Sequence, residues 1–399
     1  MIAADPEPLP RPGRPAGHIP TAHNVDHYAF TVPDLRLAIE FFVEVLGAEV
    51  AYRLGPIAAP DADPGWMSRQ LGVHLDARTV IAMLRLGPVS NVELFEYEAP
   101  GQRRGSPRNC DPGGHHLGFA VTDLEAAMRH LGTRPGVRIL GPPRTAAAGE
   151  PGAGERSVYF RSPWGMYFSL QEVPPRMPYE RHTPARRFAP SAAWSNAVQP
   201  GGDPVADRGT GSTGIPTATN VDHAAYTVPD LDHAAEFFGA VLGAQPLYRD
   251  TWTRLPADLM AERFDVRAAG SVRRAMLRLG PTANIELSQF DVPGAAVERP
   301  RNSDVGGHHM AFWVDDLDAA VEYLAGQDGV TVLGSPVTVE RGPLGGGRWV
   351  YFTTPFGMTM EVLTFPDGRL PYEKETTVRR RAHEPGPWPG FDSVPNQLN

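Results

Sequence analysis

The residues most able to do chemistry occur in a doubled pattern. GGHHLGFAVTD (113–123) returns as GGHHMAFWVDD (306–316), and each opens a strand-like run on two adjacent histidines. In the later half, four ligand-type side chains fall on four strand-like segments. They are His223 in NVDHAAYTV, Glu286 in ANIELSQF, His309 in HHMAFWV and Glu361 in GMTMEVLTF. Side chains alternate across a strand, so only one of His308 and His309 faces a given side. His309 is assigned inward, because Ala311 and Trp313 share its face. Two neutral imidazoles and two carboxylates suit a divalent metal ion (Fe, Mn, Zn, Ni or Co), with positions left for water or a substrate oxygen. Such ligands must be deprotonated, so binding weakens in acid. A lone strand histidine is usually a packed, hydrogen-bonded residue, and a lone strand glutamate is usually solvated. The metal reading rests on four such residues at corresponding points of repeated strands.

The elements that must position them repeat as well. NVDHYAFTVPDLRLAIEFFVEVLGAEVAYR (24–53) returns as NVDHAAYTVPDLDHAAEFFGAVLGAQPLYR (220–249), and VYFRSPWGMYF (158–168) returns as VYFTTPFGMTM (350–360). Two homologous halves follow. Within each half a strand–helix–strands unit occurs twice. Alternating β-branched residues mark the first strand, Pro-Asp opens the helix of the first and third units, and Gly243 closes that of the third. The expected domain layout is a Pro-rich tail (1–22), a first domain (23–175), a linker (176–215), a second domain (216–366) and a C-terminal tail (367–399).

Composition narrows the function classes. The chain has 399 residues and a formal net charge of −9, so no basic surface invites nucleic acid or anionic lipid. Lys374 is the only lysine among 37 Lys and Arg residues, which reads as coding bias toward arginine. Cys110 is the only cysteine, which excludes an internal disulfide and fits a reducing cytoplasm. No apolar run approaches the roughly 20 residues that span a bilayer.

The order His, Glu, His, Glu over paired strand–helix–strand units resembles the vicinal oxygen chelate superfamily, which includes glyoxalase I, methylmalonyl-CoA epimerase, extradiol dioxygenases and antibiotic-resistance proteins. VDHAAYTVPDLDHAAEFFGAVLG is similar to its opening strand and helix, GGHHMAFWVDDLDAAVEYL to the third quarter of the epimerases, and RWVYFTTPFGMTMEVLTFP to its closing strands. The resemblance implies an α+β fold of four βαβββ modules. These form two tandem domains, each a curved mixed-sheet cup with helices outside. It also implies a metal that chelates a small substrate through adjacent oxygens.

The halves differ at one ligand. The first keeps His27, Glu93 and His116 but has Ser169 where the second has Glu361; Gln171 shares that face and Glu172 points away. The first half therefore reads as a loose or degenerate site. Closure of each half on itself, the favoured arrangement, gives one full set of His223, Glu286, His309 and Glu361. Crosswise closure gives His27, Glu93, His309 and Glu361. The leading reaction is proton transfer next to a carbonyl, as in an epimerase, isomerase or glyoxalase-like lyase, with Glu361 or Glu286 moving the proton. A second reading is an Fe(II) ring-cleaving dioxygenase using His223, His309 and Glu361, with Tyr351 positioning substrate; LGGGR where a histidine is expected, and the extra Glu286, count against it. A third is a resistance-type binding protein. A homodimer is compatible with each. Arg85 and Arg278, in matching MLRLGP segments, read as exposed strand residues or as contacts to an acidic substrate. PRNSD before the second histidine pair reads as a lid or a surface turn.

Overall fold

A computed structural model describes residues 17–189, 214–366 and 370–380. Most of the expected N-terminal tail, the linker core and the end of the C-terminal tail lie outside the described residues.

Four units follow one another. The first holds β1 (Ala22–Thr31), α1 (Leu35–Glu44), β2 (Glu49–Ile57), α2 (Trp66–Leu71), β3 (Arg78–Leu86) and β4 (Ser90–Glu98). The second holds β5 (His115–Val121), α3 (Leu124–Gly132), β6 (Arg138–Thr145), β7 (Arg156–Arg161) and β8 (Tyr167–Glu172). The third holds β9 (Ala218–Thr227), α4 (Leu231–Ala240), β10 (Gln245–Leu255), α5 (Ala257–Phe264), β11 (Gly270–Leu279) and β12 (Ala283–Asp291). The fourth holds β13 (His308–Val314), α6 (Leu317–Ala325), β14 (Thr331–Thr338), β15 (Arg348–Thr353) and β16 (Thr359–Thr364). The main helices start at Asp34, Asp123, Asp230 and Asp316, each of which accepts a hydrogen bond from a first-turn backbone N–H. That capping satisfies donors left open at a helix start, and it explains the recurring Asp-Leu pair. The short helices α2 and α5 are additions to the expected module.

The sixteen strands form two eight-stranded sheets, ordered β14-β15-β16-β13-β1-β4-β3-β2 and β10-β11-β12-β9-β5-β8-β7-β6. Closure is therefore crosswise: unit one shares a sheet with unit four, and unit two with unit three. The joints are antiparallel pairings of β1 with β13 and of β5 with β9. The expectation that each half closes on itself is overturned. The reason lies on the helices. Phe41 on α1 packs edge-on to Trp164 of unit two, with ring centroids 5.1 Å apart, and Phe42 packs on Phe168 at 5.9 Å. Likewise Phe237 and Phe238 on α4 pack on Phe356 of unit four. Neighbouring units thus stack through their helices, and their open first strands pair with the other half.

The two histidines in each pair separate cleanly. His115 and His308 face the core between the sheets, where their rings lie 4.9 Å apart, with Phe30 stacked on His115 and Tyr226 on His308. Burial lowers the proton affinity of both, His115 to about 4. They are neutral aromatic packing groups, each with Nδ1 3.1 Å from a glycine carbonyl to which it donates. His116 and His309 turn into the two cups.

Candidate metal centre

In the first cup, His27 comes from β1, Glu93 from β4, His309 from β13 and Glu361 from β16. The register is symmetric: Ala29 pairs with Glu93, and Ala311 pairs with Glu361. His27 Nε2 lies 3.1 Å from Glu93 Oε2, 3.3 Å from Glu361 Oε2 and 3.3 Å from His309 Nε2. His309 Nε2 lies 3.5 Å from Glu361 Oε2 and 3.8 Å from Glu93 Oε2. All four side chains are buried. A cation about 2.1 Å from each ligand places donor atoms roughly 3.0 Å (cis) to 4.2 Å (trans) apart, so these spacings suit one ion at the common centre. The charge fits too: two carboxylates and two imidazoles that need no proton supply two negative charges.

A local irregularity arms His27. The ladder steps from Val25–Phe312 directly to His27–Ala311, leaving Asp26 as an extra residue. A bulge of this kind re-aims side chains, and here it brings neighbouring Asp26 and His27 together, Oδ1 to Nδ1 at 2.8 Å. Burial works against charge on His27, but Glu93, Asp26 and Glu361 raise its proton affinity well above the ordinary value. Burial likewise opposes ionisation of Glu361, yet its bonds to His27 and His309 hold its carboxyl down at about 2. Burial lowers His309. The Tyr351 hydroxyl is 3.3 Å from His309 Nε2; burial and Glu361 push its proton affinity up, so it stays a phenol able to donate.

The second cup gathers His116, His223 and Glu286. His116 Nε2 and His223 Nε2 are 3.1 Å apart. Asp222 receives His223 Nδ1 at 2.5 Å, as Asp26 receives His27. The fourth position is Ser169, whose hydroxyl accepts from Gln171 at 2.9 Å. Gln171 thus reaches this cup, but as a partner of Ser169. Arg274 donates to Glu286 at 3.0 Å and to Asp250 at 2.9 Å. Burial drives His116 to about 3, assisted by His223. This centre carries its own partly buried cation beside its one ligand carboxylate.

The single set His223, Glu286, His309 and Glu361 is therefore not assembled. His309 and Glu361 join His27 and Glu93, while His223 and Glu286 join His116. Tyr351 belongs to the first cup. Arg85 is neither exposed nor turned toward a substrate space: its Nη1 lies 3.4 Å from the Arg380 carbonyl oxygen, and Arg278 similarly reaches the Arg186 carbonyl. Asn302, Ser303 and Asp304 of PRNSD are buried, so this loop is a brace and not a surface turn.

Sequence reasoning missed the segments read as linker and tail. PYERHTPARRF (178–188) returns as PYEKETTVRRR (371–381). Each carries an arginine into a cup: Arg187 to Asp222, Arg380 to Asp26. The signal was present as a repeat continuing past the last strand. The Asp-His dipeptide in both opening strands was the other unused signal.

The profile of the Glyoxalase/Bleomycin resistance protein/Dioxygenase superfamily matches residues 26–160 and 222–352. The chain belongs to that superfamily. It is similar to a protein from Actinomyces sp. named 2-epi-5-epi-valiolone epimerase, 53% identical over 178 residues, covering 45% of this chain and 94% of that relative. Solved structures share the fold. Glyoxalase I from Zea mays superposes with a TM-score of 0.50 at 16% identity, covering 86% of this chain and 92% of that one. A putative dioxygenase from Bacillus subtilis subsp. subtilis str. 168 gives 0.50 at 15%, covering 88% and 87%. The chain is an enzyme of this superfamily, and no helix among the described residues is long and apolar enough to cross a membrane.

Proposed function

We propose that the chain is a metal-dependent epimerase that moves a proton on the carbon next to a ketone, with its single reaction centre at His27, Glu93, His309 and Glu361. The observation that carries this reading is the meeting of two imidazoles and two carboxylates within 4.8 Å in one buried cluster. The relative named for epimerising 2-epi-5-epi-valiolone supports a substrate of that class, a small ketone bearing adjacent oxygens. A divalent ion held by these four residues supplies Lewis acidity, lowering the cost of negative charge on the carbonyl oxygen.

The chain's own groups do the rest. Glu93 and Glu361 come from different units related by the repeat, so they approach a ligand at the centre from opposite sides. One takes the proton from the carbon and the other returns one to the opposite face, which inverts the centre. Tyr351, held as a phenol, donates to a substrate oxygen. The apolar wall of Met67, Ile81, Phe95 and Tyr97 beside the cluster keeps water from the exposed carbanion. The single buried cysteine accords with a reducing cytoplasm as the place of action.

The test is incubation with the ketone in D2O after metal loading. Epimerisation with one deuterium gained at the inverted carbon supports the reading. Oxygen consumption by the Fe(II)-loaded protein, with ring cleavage and no exchange, would replace it with the dioxygenase.

A further inference from the structure

Arg380 is placed from several directions at once. Its backbone N–H donates to the Tyr372 hydroxyl at 2.6 Å, and its carbonyl accepts from Asn91 Nδ2 at 2.6 Å. The same Asn91 amide donates to the Asp26 carbonyl at 2.7 Å, tying the arm to the strand that bears His27. The guanidinium is 2% exposed. Its Nε and Nη2 each lie 2.7 Å from Asp26 Oδ1, and Nη1 donates to the Tyr52 hydroxyl. Nη2 also stands 2.9 Å from His27 Nδ1.

Asp26 Oδ1 and Arg380 Nη2 both meet His27 Nδ1, and a metal at Nε2 requires that the ring proton sit on Nδ1. A guanidinium has no lone pair to offer. A proton on His27 Nδ1 therefore has one acceptor here, the Asp26 oxygen that Arg380 holds in place. With Nδ1 so occupied, Nε2 presents its lone pair to Glu93, His309 and Glu361. A carboxylate buried as deeply as Asp26 is costly unless a partner balances it, and Arg380 is that partner. The other half repeats the device: Arg187 bonds Asp222, and its Nη2 is 3.3 Å from His223 Nδ1. Repetition at matching positions marks the arm as part of each site and not as incidental tail packing.

We propose that Arg380 is a positioning residue for the metal centre, delivered by the 370–380 arm. It fixes Asp26 as the acceptor for His27 Nδ1–H and so orients Nε2 toward the metal. The centre then requires three separate stretches of chain: strands of unit one, strands of unit four, and the arm after the last strand. This inference rests on the metal reading above.

The test uses the full chain and Zn2+ alone as probe. Affinity is measured by chelator competition, and the His27 tautomer by 15N–1H correlation on 15N-histidine-labelled protein. Arg380→Met should weaken Zn2+ binding about 10- to 100-fold, the loss typical of removing a ligand's outer hydrogen-bond partner. In metal-free protein at a pH where the ring is neutral, its His27 signals should lose the pure Nδ1–H signature that the wild type shows under the same conditions. The double variant Asp26→Asn/Arg380→Met leaves no unpaired buried charge and so guards against misfolding; it should melt cooperatively and still bind weakly. Arg380→Lys, which keeps the charge without the fork, should fall between. Wild-type affinity in the double variant, or an unchanged His27 tautomer in Arg380→Met, would overturn the inference. Failure of the wild type to bind Zn2+ would instead overturn the metal reading, and this inference with it.

Discussion

The two cups are built from the same repeat and differ where charge matters most. In the first, the cross-strand pair beside the cluster is Leu54 with Ile81, both apolar. In the second, the matching pair is Asp250 with Arg274. Arg274 reaches Glu286, and the fourth ligand position is Ser169 where the first cup has Glu361. Ligand geometry alone does not separate the cups, since both bring two imidazole nitrogens within about 3 Å. What separates them is the number of ligand carboxylates and a nearby cation: Glu93 and Glu361 in one, and in the other Glu286 alone, beside an Arg274 that it shares with Asp250. The cups therefore differ in two ways, a serine at the fourth ligand position and a guanidinium against Glu286, and each lowers the negative charge offered to a cation.

The sharpest way to break this contrast is Glu361→Ala against Glu286→Ala. The first should remove bound metal and lower turnover by about 10²- to 10⁴-fold, the range for a proton-transfer group. The second should leave metal content unchanged, as elemental analysis will read. Next is the converse, Ser169→Glu with Asp250→Leu and Arg274→Ile, which copies the first cup into the second. Metal content should rise from one ion per chain to two; a constant ratio would show that charge is not the deciding term.

A smaller effect separates the cups at the strand joint. His27 faces Ala311, whereas His223 faces Gly118. A Cβ at Gly118 would collide with the His223 ring, which Asp222 and Arg187 hold. Gly118→Ala should destabilise by about 1–3 kcal/mol in urea unfolding, while Zn2+ affinity at the first cup stays unchanged.

An effect confined to acid pH lies in the paired loops before each histidine doublet. Asp304 accepts from the backbone N–H groups of Arg103 and Arg301, each at 2.9 Å. Asp111 accepts from the Arg108 and Ala296 backbones. Burial opposes ionisation of Asp304, but these donors and the two arginines bring it to about 2. A carboxyl lowered on folding contributes stability that is complete above the unfolded value near 4 and is lost as pH falls through 2, about 2 kcal/mol here. Asp304→Asn should flatten the stability curve between pH 4 and 2 by that amount.

Much of this was legible in the sequence. Helices opening at Pro-Asp-Leu and strands of alternating β-branched residues follow from capping and from the two-residue period of a strand. Ligand-type residues also stand out, because His and Glu between apolar neighbours on a strand need a reason. His309 faces the cup as alternation required, and Ser169 stands where the other cup has Glu361. The arms were not legible as functional: between PYER and ARRF nothing has a strand or helix period, and an arginine in such a stretch reads as solvated.

The sequence alone determined four like units, the residues on each that turn into a cup, and the family they form. Which units share a cup was left to the tertiary structure. Each first strand carries nearly the same edge pattern, so its backbone hydrogen bonds are satisfied equally well by either copy. The choice fell to the aromatic faces of α1 and α4, which stack neighbouring units and turn their open edges toward the opposite half. That long-range packing put His27 with His309 and left His223 with His116.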